Sequence, residues 1–169
     1  MTMSLYSETK AQFIHGLVSL SAVLEKSAAW AKEQGTDESA LLEAKLAEDM
    51  FPLKRQVQVT CDMAKRAIAR LANVEAPAME DNESTFAQLH ERIAATVAFL
   101  KSVPDSQLDG DDARPIMVQA REHQLHFTAS SYVFQFAMPN FYFHSTTAYA
   151  IQRQAGVPLG KVDFLGKIQ

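Results

Sequence analysis

The sequence predicts an all-α fold, an up-down four-helix bundle with a short β-hairpin or extended segment before its last helix. Two observations carry the bundle. Three segments repeat apolar residues at spacings of three and four, as the buried stripe of a long helix does. A fourth, aromatic segment runs from Pro139 to Gly156, between a helix-start and a helix-stop signal. A third observation places the hairpin: Ile116 to Arg121 and Gln124 to Phe127 partly alternate in polarity just before that last segment. Helices joined by turns bury their stripes best against one another.

The first helix is expected to start near Ser4 to Ser7 and to stop at Gly35, which accepts a left-handed conformation. Phe13, Leu17, Leu20, Leu24, Ala28 and Ala31 form its stripe, widened by Ile14 and Val18; His15 lies beside it. Thr36 to Ser39 then caps a short piece carrying Leu41, Leu42 and Leu46. Asp49 is the expected cap of the second long helix, with Pro52 in its first turn and Asn73 as its stop. Its inward residues are Leu53, Val57, Thr60, Ala64, Ile68 and Leu71, while Lys54, Arg55, Lys65, Arg66 and Arg70 read as a solvated face.

A polar loop follows to Asn82. Thr85 with Gln88 fits a capping box for a third helix through Phe86, Leu89, Ile93, Val97 and Leu100, ending before Pro104. Asp105 to Asp112 reads as loop, and the hairpin should turn near Glu122 and His123. A cap at Thr128 or Ser130 opens a short helix that Pro139 interrupts, and the fourth long helix follows. The tail from Val157 is too apolar to hang free, so Phe164 and Leu165 are expected to dock on the bundle.

The 169 residues suit a single domain, 1–169, with 47% hydrophobic and 21% charged residues. A net charge of -4 with scattered Lys and Arg makes no electrostatic case for nucleic acid or an anionic membrane. The single cysteine, Cys61, excludes an internal disulfide and falls within an apolar helical pattern, as a buried inert thiol does. No run approaches the ~20 apolar residues of a membrane span, and the N-terminus lacks signal-peptide character. The expected location is the cytoplasm.

Phosphate loops, cysteine clusters, nucleophile elbows and His-Glu-x-x-His are all missing from the chain. Two constellations remain. The first is His144, expected near a helix N-terminus whose dipole would keep the imidazole neutral. Asn140 lies one turn earlier, and Thr147 continues the same stripe. Gln56 and Thr60 lie at the inward edge of the second long helix, where they can meet His144 and form a small-molecule pocket. Asp62 points away on a helical wheel, toward Lys65 and Arg66. The plainer reading is an aromatic core helix whose histidine is satisfied by a neighbour. The second constellation is His123 with His126, which with His144 would total three imidazoles. On an extended strand the pair points to opposite faces, so ordinary surface histidines are the expectation. Tyr142, Phe143 and Tyr149 read as core or as the interface of a homodimer.

Three motifs carry a family resemblance: Leu46-Ala47-Glu48-Asp49-Met50-Phe51-Pro52-Leu53-Lys54-Arg55-Gln56-Val57-Gln58, Pro139-Asn140-Phe141-Tyr142-Phe143-His144, and Gly160-Lys161-Val162-Asp163-Phe164-Leu165-Gly166. The chain resembles, over its whole length, an uncharacterised bacterial domain-of-unknown-function family of the DinB/YfiT-like superfamily. That resemblance implies a DinB-like bundle, commonly dimeric, with a divalent metal such as Zn or Ni at one end. It also implies relatives that act as thiol S-transferases or hydrolases. Their ligands resemble one histidine from the second helix and a His-x-x-x-His pair from the fourth. Here the pair falls on Asn140 and His144, and the second helix contains no histidine. His123, His126 and Asp62 are the residues left to complete such a set.

Overall fold

The computed structural model describes residues 4–167. Helix α1 spans Leu5–Gln34. The Ser4 side chain accepts from the Ser7 amide at its start, and Gly35 closes it at φ 64°. The short α2, Glu38–Leu42, is capped by Asp37, and α3 spans Leu53–Ala72. Asp49 does not cap α3: Pro52 holds the N-cap position and its carbonyl accepts from Gln56. A proline there offers a fixed, extended approach without a side-chain cap. Leu46 lies beyond α2 and is exposed.

Helix α4 spans Phe86–Ser102. Thr85 accepts from the Gln88 amide as expected, but the Gln88 side chain accepts from the Ser84 amide, one residue earlier than a reciprocal box requires. The acidic stretch after it is not all loop. Asp105–Leu108 makes a helical turn, α5, because Leu108 is fully buried. Strands β1, Pro115–Ala120, and β2, His123–Thr128, pair antiparallel, with Ala120 opposite His123. The hairpin therefore turns at Arg121 and Glu122, with Arg121 at φ 53°. Ile116 and Val118 point into the core.

Thr128 caps α6, Ala129–Tyr132, in a reciprocal box with Ser131. The chain then passes through a π-helical turn, Val133–Ala137, directly into α7, Met138–Gln154. Pro139 does not interrupt the helix. A widened turn just before a proline relieves its clash with the preceding turn, where it also lacks a donor. Gly156 follows α7 at φ 101°, and the tail forms α8, Lys161–Leu165.

The bundle consists of α1, α3, α4 and α7. Contacts run from Gln56 to His144 and Arg70 to Tyr132, so α3 opposes α7. Phe13 meets Phe141 and Ser27 meets Gln152, so α1 runs with α7. Lys10 reaches Val103 and Ser21 reaches His90, so α4 opposes α1. Helices α3 and α4 are therefore parallel, joined by residues 73–85, which return along the bundle. Phe13, Leu17, Leu24, Leu53, Val57, Ile68, Leu89, Leu100 and Phe141 fill the centre. Val18, expected to widen the α1 stripe, is 55% exposed.

Helix α8 docks on α1, with Phe164 in edge contact with Tyr149 at 5.8 Å. Leu165 remains partly exposed, and its carbonyl lies 2.6 Å from His15 Nε2. Among the described residues, no helix is long and apolar enough to cross a membrane.

Candidate functional site

Facing surfaces of α3 and α7 bring Gln56 and His144 together. Gln56 is almost wholly buried, and its Nε2 donates to the Phe51 carbonyl at 3.1 Å. That bond orients the amide so that Oε1 faces His144 Nδ1 at 2.7 Å. An amide oxygen only accepts, so Nδ1 carries the hydrogen. In the neutral ring Nε2 is then unprotonated, and it makes no hydrogen bond with any described residue.

Burial, followed by the nearby Arg55 guanidinium, holds the His144 pKa below its ordinary value. A helix N-terminus plays no part, contrary to expectation. The helical path runs unbroken from Ala129, so His144 sits well inside it. Phe143 meets the imidazole edge-on at 5.1 Å. Phe143 and Phe51 are both more than half exposed, and Arg55 lies over the Phe51 ring at 5.7 Å. A neutral acceptor nitrogen thus belongs to a ring that meets Phe143, with one cation nearby.

The remaining predicted site residues spend their polar atoms locally. Asn140 Nδ2 donates to the Phe136 carbonyl at 2.7 Å, beside the π-helical turn. Thr60 donates to the Gln56 carbonyl at 2.8 Å and Thr147 to the Phe143 carbonyl at 2.7 Å. These bonds steady the segments that carry Gln56 and His144. His123 and His126 are exposed on β2.

Asp62 corrects the helical wheel. It is buried, not solvated, and so is Lys65. Asp62 receives Arg92 at 3.0 Å, Lys65 at 3.2 Å and Arg66 at 3.0 Å. Arg92 also pairs with Asp81 and Glu83 at 2.9 Å and donates to the Glu80 carbonyl. These charges staple the 73–85 crossover over the polar flank of α3 and α4. Arg92 does not stand out in the sequence from the other scattered basic residues. Its position three residues after Leu89, on the stripe's margin, was the available signal.

A metal fits this donor set poorly. His144 contributes one nitrogen, Asn140 offers only a neutral amide oxygen, its Nδ2 being held by the Phe136 carbonyl, and Asp62 is neutralised by three cations. Among the described residues, no three His, Cys, Asp or Glu side chains are grouped to hold a metal ion.

The family described as a domain of unknown function, DUF1993, matches residues 5–165. The chain belongs to that family. A solved structure described as a DinB family member protein from Shewanella denitrificans is similar to this DUF1993 chain at 38% identity. The match covers 97% of this chain and 93% of that one, with a TM-score of 0.87. No curated protein matches. The DUF1993 chain is thus a member of the DinB-like bundles, as its three motifs suggest.

Proposed function

We propose that this DUF1993 bundle binds a small molecule at His144, without a metal, and that a hydrogen-bond donor on the ligand meets Nε2. The hydrogen-bonded order Phe51 carbonyl, Gln56 amide, His144 imidazole carries this reading, because it selects one tautomer and leaves one acceptor open. Exposed Phe51 and Phe143 add the apolar surface that a planar ligand body needs. Asn140, Thr60 and Thr147 act as positioning residues.

Phenol and toluene are suitable probes, since they share a ring and differ in the donor. Nitrogen-15 NMR of the full chain should show a saturable shift of His144 Nε2 with phenol, and little with toluene. The shift should vanish in His144→Ala. An Nε2 signal indifferent to phenol, or already protonated at neutral pH, would overturn the reading.

A second reading, a divalent-metal-dependent thiol S-transferase or hydrolase, draws on the same nitrogen. Ligating histidines commonly donate their other N–H to a neighbouring acceptor, as His144 does to Gln56. Stoichiometric Zn or Ni in untagged protein, lost in His144→Ala, would favour it. The exposed Phe134 and Phe143 also suit a homodimer of a cytoplasmic protein, and sedimentation at rising concentration tests the dimer.

A further inference from the structure

A second opening lies on the other flank of α7. Helices α1, α7 and α8 line an open cleft of about 690 Å³, within the size range of small-molecule sites. Its apolar surface comes chiefly from Ile14 and Val18 on α1, over the buried Leu20 and Val23, with Phe164 and Leu165 on the α8 side. From Ala11 to Val23 the α1 side is roughly 18 Å long.

Asp163 pairs with Lys26 while the Leu165 carbonyl reaches His15, so α8 runs back along α1, and Lys167 and Gln12 both line the cleft. Gln12 Oε1 accepts from the Tyr142 hydroxyl at 3.3 Å, which leaves the Gln12 amide hydrogens available. His15 Nε2 faces a carbonyl and therefore donates inward to α8. Among the described residues no Asp or Glu lines the cleft itself, and the nearest carboxylate, Asp163 in the adjoining groove, is paired with Lys26; the chain contains 20 acidic residues and has a net charge of -4. An apolar cleft lined also by an ammonium and an amide donor, free of carboxylates, complements an amphipathic anion.

We propose that this cleft binds a small aliphatic carboxylate, its chain along Ile14, Val18 and Phe164 and its carboxylate between Lys167 and Gln12. The site is separate from His144, which faces α3.

Calorimetry of the full chain with decanoate, decanol and decyltrimethylammonium, each below its micelle concentration, tests the assignment. Decanoate should bind one-to-one and more tightly than the other two. Lys167→Glu should weaken decanoate about fivefold or more and reverse the preference between the two ions. Ala11→Trp, placed at the exposed rim, should block binding while circular dichroism shows an intact fold. His144→Ala should leave decanoate binding unchanged, so failure at either site is distinguishable. Equal affinity for the two ions, decanoate binding insensitive to both cleft variants, or a dimer that forms without binding decanoate would overturn the proposal.

Discussion

Asp62 accepts from Arg92 at 3.0 Å across the α3–α4 interface, with the two residues 7% and 4% exposed. Two charges so far out of water persist only when each is compensated, and here the crossover supplies Asp81 and Glu83 as well. Removing the arginine takes the one buried cation from Glu83 and leaves Asp62 with Lys65 and Arg66 alone. Arg92→Met is therefore expected to lower the unfolding free energy by about 3–5 kcal/mol in urea melts. Arg66→Ala, at a half-exposed side chain of the same network, should cost less than about 1 kcal/mol. Equal losses at the two positions would show that burial does not set the strength of this network.

That network also marks where sequence reading stopped. The α1 and α4 caps, the Asn73 stop and most of the buried stripes were legible because they depend on residues within one or two turns. Asp62 was not, because a wheel knows only its own helix. Its polar face is covered by residues 73–85, a consequence of α3 and α4 being parallel. The His144–Gln56 meeting was legible from the two inward edges. The tautomer was not, since it depends on the Phe51 carbonyl orienting Gln56. The α1–α7–α8 cleft exists only once the tail is docked.

The environment of His144 predicts a pH dependence. Its folded pKa lies below the ordinary 6.5, through burial and then Arg55. As pH falls through 6.5, the unfolded chain takes up this proton more readily than the folded one, so stability falls. The loss levels off below the lowered folded pKa. Stability curves of the wild type and His144→Asn between pH 7 and about 5 should therefore converge as pH drops. Parallel curves would show that His144 titrates as it does in the unfolded chain.

Cys61 offers a probe of opening. It is fully buried, and burial pushes its thiol up to about 12, against the opposing influence of Thr96 and Arg92. Native protein at pH 8 should fail to react with a disulfide reagent such as DTNB, whereas protein in denaturing urea should react at once. Rapid labelling without urea would mean that α3 and α4 separate readily.

At Gly16, α1 passes close against the Phe141 ring of α7. A Cβ at position 16 would lie 2.7 Å from Phe141 Cε1 and 2.9 Å from Cζ. The ring has little room to retreat, because Phe13 packs against it at 4.8 Å and both are fully buried. Gly16→Ala gains about 1 kcal/mol of helix propensity, but overpacking of this kind costs about 1–3 kcal/mol. A net loss of stability is expected. Phe141→Leu removes the obstructing ring edge and by itself leaves a void, which the added methyl partly fills. The double variant should therefore be more stable than the sum of the two single losses, a coupling that urea unfolding of all four proteins measures. Strict additivity would mean that Phe141 is not what requires a glycine at position 16.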